Sequence, residues 1–177
     1  MEQYNPYDNG SKRLITLCTQ DLISWLHKTA VFQKHGAGEF KSIPFEADAV
    51  QSCTIGNDPA VIHLEIQSEG DKNMEQRLLE YNTLAYRYHG HPVLSYVIYL
   101  RTGGKRFTPP LVRVSPDGEE ILRFHYKTIE LGKMRCEELF EKNLPGLLPL
   151  IPLTENGARR EVIEQIITLL TTNDDIQ

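Results

Sequence analysis

Val61-Ile62-His63-Leu64-Glu65-Ile66-Gln67 alternates apolar and polar residues from Ile62 onward. In an extended chain, successive side chains point to opposite faces. Ile62, Leu64 and Ile66 therefore share one face and predict a strand packed on a core. His63, Glu65 and Gln67 share the other. Three polar groups in a row are costly to bury without partners. On alternation alone, that second face could meet solvent or carry chemistry.

The flanking sequence builds a sheet around this strand. Gly56-Asn57-Asp58-Pro59 is turn chemistry, which predicts a hairpin between Phe45–Cys53 and Ala60–Gln67. The first of these strands contains Asp48, and the hairpin can bring it beside Glu65. Residues 39 to 43 are expected to add a short strand. Met74, Leu78, Tyr81, Leu84, Ala85 and Tyr88 recur at helical spacing. They predict a helix over about 72–89, stopped by Gly90 and Pro92. Val93–Leu100 is an apolar run suited to a strand buried on both faces. A hairpin, a crossover helix and a buried strand together imply an α/β fold, a mixed central sheet flanked by helices.

Further out, Leu14, Leu17, Cys18, Leu22 and Trp25 predict one helix over 12–28. A loop is expected over 101–113 and a weaker strand near 121–129. Short helices are expected at 135–142 and 158–170. Leu144–Leu153, interrupted by three prolines, is expected to cap the core, and residues 171–177 to form a polar tail. The chain has 177 residues, so a single domain over 1–170 is expected.

Composition narrows the function classes. There are 19 Lys+Arg against 24 Asp+Glu, a formal net charge of −5. A uniformly basic nucleic-acid coat is excluded, though a local basic patch is not. Cys18, Cys53 and Cys136 are widely spaced with no CxxC. Reduced, mostly buried thiols in a cytoplasmic protein are the expectation, not a thiolate zinc site. No apolar run approaches the ~20 residues of a membrane span, and residues 1–10 carry no apolar leader core.

Asp48 and Glu65, from neighbouring strands, suit a hard cation such as Mg²⁺. A polar group two residues on, Gln67, can hold a water against it. Such a site fits metal-assisted phosphodiester hydrolysis. In the order Tyr7-Asp8…Lys12, Ala47-Asp48-Ala49-Val50, His63-Leu64-Glu65-Ile66-Gln67, Arg77-Leu78-Leu79-Glu80-Tyr81, Pro92…Leu100 and Leu144–Leu150, the chain resembles the recombination-promoting nuclease (Rpn) family. That family, whose members are often described as transposases, belongs to the PD-(D/E)XK nuclease superfamily. The resemblance implies a restriction-endonuclease-like αβββαβ core, a divalent cation (Mg²⁺, or another such as Mn²⁺) and a DNA substrate. By the same resemblance, Asp48 and Glu65 are metal ligands. Gln67 stands where the wider superfamily has Lys, and a Glu-x-Gln pair is usual for the Rpn-like group. The alternative is a catalytically degenerate nuclease fold that binds nucleic acid or protein. A homodimer is compatible with either.

Several other residues are accessory candidates. Arg77 and Tyr81 share one helical face, and Arg77 could bind phosphate bidentately or simply lie over its helix. Asp8, Lys12 and Asp21 lie in or before the first helix, where some superfamily members place an extra acid. His63 is expected to hydrogen-bond beside the site more readily than to ligate. His89-Gly90-His91 reads as a helix end in preference to a chelate. Arg101, Lys105 and Arg106 form a cationic stretch that could follow a DNA backbone or be a solvated loop.

Overall fold

The computed structural model describes residues 6–26, 28–36, 39–40, 43–68, 71–104, 106–115 and 118–172. Helices α1 (Pro6–Leu17) and α2 (Thr19–Leu26) lead into strands β1 (Ala30–His35), β2 (Glu39–Phe40), β3 (Ile43–Glu46), β4 (Ala49–Ile55) and β5 (Asp58–Gln67). Helix α3 (Met74–His89) crosses to β6 (Val93–Tyr99), followed by β7 (Leu111–Val114), β8 (Glu120–Phe124) and β9 (Lys127–Glu130). Helix α4 (Cys136–Phe140), a 3-10 segment (Pro145–Leu153) and α5 (Arg160–Thr172) complete the chain.

The fold is mixed α/β. Its five-stranded sheet has the order β1-β4-β5-β6-β9. The β4/β5 hairpin is antiparallel, with Ala49 opposite Leu64 and Val50 opposite His63. Gly56, at φ 62°, makes the turn, a conformation that costs glycine little. After α3, β6 lies parallel to β5, with His63 opposite Ser95 and Glu65 opposite Val97. β9 adds a second parallel pair.

The faces of β5 divide as alternation demands. Ile62, Leu64 and Ile66 pack with Ile15, Leu22, Ile23, Tyr96, Ile98, Leu147 and Ile151 in the larger core. On the opposite face, Val61 packs with Val50, Tyr81 and Ala85, placing α3 over that side. Ser95 through Tyr99 are all buried, as the apolar run requires.

Four expectations are corrected. The helix expected over 12–28 is two helices jointed at Cys18. Thr16 and Thr19 turn their hydroxyls back onto the carbonyls of Lys12 and Ile15, at 3.0 and 2.7 Å. Such back-bonding bends helices. The strand expected over 45–53 divides into β3 and β4 at Ala47–Asp48, and the edge strand β1 precedes both. The strand expected over 121–129 is also two, since β8 pairs with β7 in a separate two-stranded sheet while β9 pairs with β6 in the five-stranded one; Phe124 and Tyr126 keep the alternation across the break and bury their rings in one cluster. The C-terminal helix continues through Thr172, into the span expected as tail, whose residues 173–177 lie outside the described ones.

The 3-10 segment caps the larger core with Leu147, Leu148, Leu150 and Ile151 buried. Asp21 anchors it, accepting a hydrogen bond from the Gly146 amide. The three cysteines are free, and burial raises each thiol above its ordinary pKa.

Candidate functional site

The site lies between β5 and α3, beneath the helix's inward face. Glu65 is 2% exposed. Its Oε2 accepts a hydrogen bond from Arg77 Nη2 at 2.7 Å, and its Oε1 lies 3.3 Å from His63 Nε2. Arg77 also donates from Nη1 to Asp71 Oδ2 at 2.9 Å. The guanidinium thus bridges a buried carboxylate and a half-buried one. Burial would lower the Arg77 pKa, but Glu65 and Asp71 outweigh it and hold it above its ordinary value.

Asp48 occupies the bend just before β4. The hairpin register pairs Ala49 with Leu64, so one step further sets Asp48 across from Glu65. Asp48 Oδ2 accepts a hydrogen bond from the Ile66 amide at 2.7 Å, extending the ladder with a side chain just ahead of the start of β4. Tyr81 reports the same neighbourhood. Burial first, then Glu65 and Asp48, raise its phenol above the ordinary value, while Arg77 pulls it down. Its ring meets that of His63 edge-on, with centroids 5.6 Å apart.

Behind Glu65 runs a buried polar chain. His63, fully buried, places Nδ1 3.0 Å from Ser95 Oγ. Asn82 Nδ2 donates to Ser95 Oγ at 3.0 Å and to the Val93 carbonyl at 2.9 Å. Ser95, Asn82 and Asp71 were not singled out from sequence. The available signals were a lone serine in an apolar strand and an asparagine four residues after Leu78 on the buried side of α3. Neither shows a partner until the β5/β6 register is known.

The structure therefore gathers Asp48, His63, Glu65, Arg77 and Tyr81. Gln67, half-buried, follows on the same face by alternation and stands opposite Tyr99 in the parallel register. Lys12 belongs to α1, whose buried Ile15 packs on the opposite sheet face. The side chain of Asp8 lies outside the described parts of the chain, as does Lys105. Arg101 is exposed. Arg106 is not displayed as a solvated loop residue would be. Only 17% exposed, it lies 4.0 Å above the Tyr99 ring, donates to the Arg101 carbonyl at 2.6 Å and approaches Glu130 at 3.7 Å. Gly90 closes α3 with φ 71°, its amide donating to the Tyr86 carbonyl, so His89 and His91 flank a helix end.

Asp48 and Glu65 supply the hard oxygen donors that Mg²⁺ or Mn²⁺ prefers. Asp48 already accepts from the Ile66 amide through Oδ2. A cation at Glu65 would compete with Arg77 for Oε2. Among the described residues, no group of three or more His, Cys, Asp and Glu side chains is arranged to hold a metal ion. Among the same residues, no helix is long and apolar enough to cross a membrane. Comparison with protein-family models, with curated proteins and with solved structures finds no match to this chain.

Proposed function

We propose that this chain is a divalent-cation-dependent DNA endonuclease of the PD-(D/E)XK type, with Asp48 and Glu65 as metal ligands and Gln67 as the group that orients the attacking water. The observation that carries the reading is the hairpin register. It sets Asp48 across from a buried Glu65 that neighbours a cation and a histidine. The five-stranded sheet lends support: with the separate β2/β3 pair set aside, its strands β1, β4 and β5 precede α3 and β6 follows it, an order compatible with the αβββαβ core the resemblance implies. A bound cation supplies charge to polarise a phosphodiester and lower the pKa of a water. The protein's own groups do the positioning. Arg77, 31% exposed, has the planar fork that suits a phosphate. Arg101, exposed past the end of β6, the strand that pairs with β5, would extend the contact along DNA, whereas Arg106 is folded over Tyr99.

A second reading, a non-catalytic binding module on the same fold, draws on one observation. Both Glu65 oxygens already have partners within the protein. Plasmid nicking with and without Mg²⁺, comparing wild type with Glu65→Ala, separates the two. Mg²⁺-dependent nicking that Glu65→Ala abolishes is the expected result. DNA binding with no nicking by wild type would move the chain to the second reading.

A further inference from the structure

The polar chain behind Glu65 has a direction. Asn82 Nδ2 can only donate, so Ser95 Oγ receives a proton from it and keeps its own hydroxyl proton to give. His63 Nδ1, at 3.0 Å, is placed to take that proton. Nδ1 is then the acceptor, and the ring proton sits on Nε2, which faces Glu65 Oε1 at 3.3 Å. In the opposite tautomer, Nδ1–H would point at Ser95. The serine proton would then lose its acceptor, and Nε2 would present a lone pair to a carboxylate. Inside a protein such mismatches are costly. Every residue of the chain is at least half-buried, and His63 is completely so, leaving no solvent at the ring to relieve the wrong tautomer.

We infer that Asn82 and Ser95 fix His63 as its Nε2–H tautomer, making His63 a positioning residue for the Glu65 carboxylate. Arg77 holds one oxygen of Glu65 from the cleft side and His63 holds the other from the interior. The carboxylate cannot rotate without breaking one of these contacts. Under the metal reading, on which this consequence rests, His63 presets Glu65 toward the position across from Asp48. Partners of this kind typically change metal affinity or activity by 10–100-fold when removed.

Two measurements on the full chain test this, one of them independent of metal. In ¹⁵N-resolved imidazole spectra of the metal-free protein, His63 should show the Nε2–H pattern. An Nδ1–H pattern would overturn the inference. In calorimetric titration with Mn²⁺ alone, Ser95→Ala should bind roughly 10-fold more weakly than wild type. Ser95→Thr, which keeps the hydroxyl on a strand-compatible residue, should recover most of the loss. Thermal melts of all three confirm that they are folded. Equal Mn²⁺ affinity in wild type and a folded Ser95→Ala would refute the positioning role. Should wild type show the Nε2–H pattern but take up no Mn²⁺, the metal reading fails while the tautomer assignment is upheld.

Discussion

Glu65 Oε2 and Arg77 Nη2 stand 2.7 Å apart, joining the C-terminal part of β5 to the first turns of α3. The carboxylate is buried and the guanidinium reaches solvent, so the pair is asymmetric. Removing Arg77 leaves an uncompensated buried charge. Removing Glu65 leaves an arginine that can turn outward or settle on Asp71. The same geometry makes Arg77 a competitor for any cation that approaches Glu65.

Arg77→Ala is therefore expected to destabilise the metal-free protein by about 3 kcal/mol, the lower end for breaking a buried pair, because Arg77 is partly exposed. A divalent ion should recover much of that. At 100 times its dissociation constant a ligand contributes about 2.7 kcal/mol, and in the variant it need not displace the guanidinium. Urea unfolding with and without MnCl₂ measures both quantities. The Mn²⁺ gain should be larger in Arg77→Ala than in wild type. An equal gain in the two would mean that the ion does not use Glu65.

Local rules made part of this site legible and not the rest. Seven residues, Val61–Gln67, placed His63 and Glu65 on one face because strand alternation is a local property. The hairpin followed from four turn residues. β1 was missed because Ala30–His35 is an edge strand with only Ala30 fully buried, leaving little alternation to read. Ser95 and Asn82 were missed for a different reason. Their role depends on which β6 residue stands opposite His63 and on the rotation of α3 above the sheet, and both are set by long-range packing. Arg106 read as a loop cation because a stacking partner seven residues away, Tyr99, leaves no periodic trace.

Asp48 has one role that is observed and one that we propose, and one substitution can separate them. Its Oδ2 accepts from the Ile66 amide, a task an amide oxygen can also perform. Asp48→Asn should keep that hydrogen bond and stay within about 1 kcal/mol of wild type in stability. It should lose the charge a hard cation requires. Folded protein with no calorimetric Mn²⁺ uptake is the expected outcome, while retained Mn²⁺ affinity would remove Asp48 from the ligand set.

Alkaline stability should depend on the buried phenols. Burial first, and then the hydrogen bond to Glu75 at 2.7 Å, raise Tyr126 well above the ordinary value of 10.0. Tyr81, Tyr96 and Tyr99 are raised too, burial again the largest cause. In the unfolded chain these groups release their protons near pH 10, while in the fold they retain them. The unfolded state then binds fewer protons above pH 10, so stability, fully present below that value, falls as pH rises through and beyond it. Denaturant unfolding from pH 8 to 11 should show this decline. Tyr126→Phe should make the decline shallower and cost about 1 kcal/mol at pH 8, from the lost hydrogen bond. An unchanged slope would mean that Tyr126 ionises alike in both states.

Gln67 separates the hydrolytic reading from a structural one most directly. It follows Glu65 on the α3-facing side of β5, is half-buried, and lies at the end of the strand, its carbonyl accepting from the Leu100 amide at 2.8 Å. A side chain here is not enclosed by the larger core, which takes Ile66 instead. Gln67→Lys should consequently fold with a stability change of less than about 1 kcal/mol, since its ammonium can reach water along a flexible stem. If Gln67 orients the attacking water, Gln67→Ala should slow Mg²⁺-dependent nicking by roughly 10- to 100-fold, the scale of misplacing one reactant. Its Mn²⁺ affinity should match wild type, because the carboxylates are untouched. Gln67→Lys should retain measurable nicking, since an ammonium can also position a water and its charge favours a developing hydroxide. Nicking rate, Mn²⁺ affinity and melting temperature taken on the same samples keep folding, metal binding and chemistry apart. Wild-type nicking rates in both variants would take Gln67 out of the reaction and leave Asp48 and Glu65 to act without it.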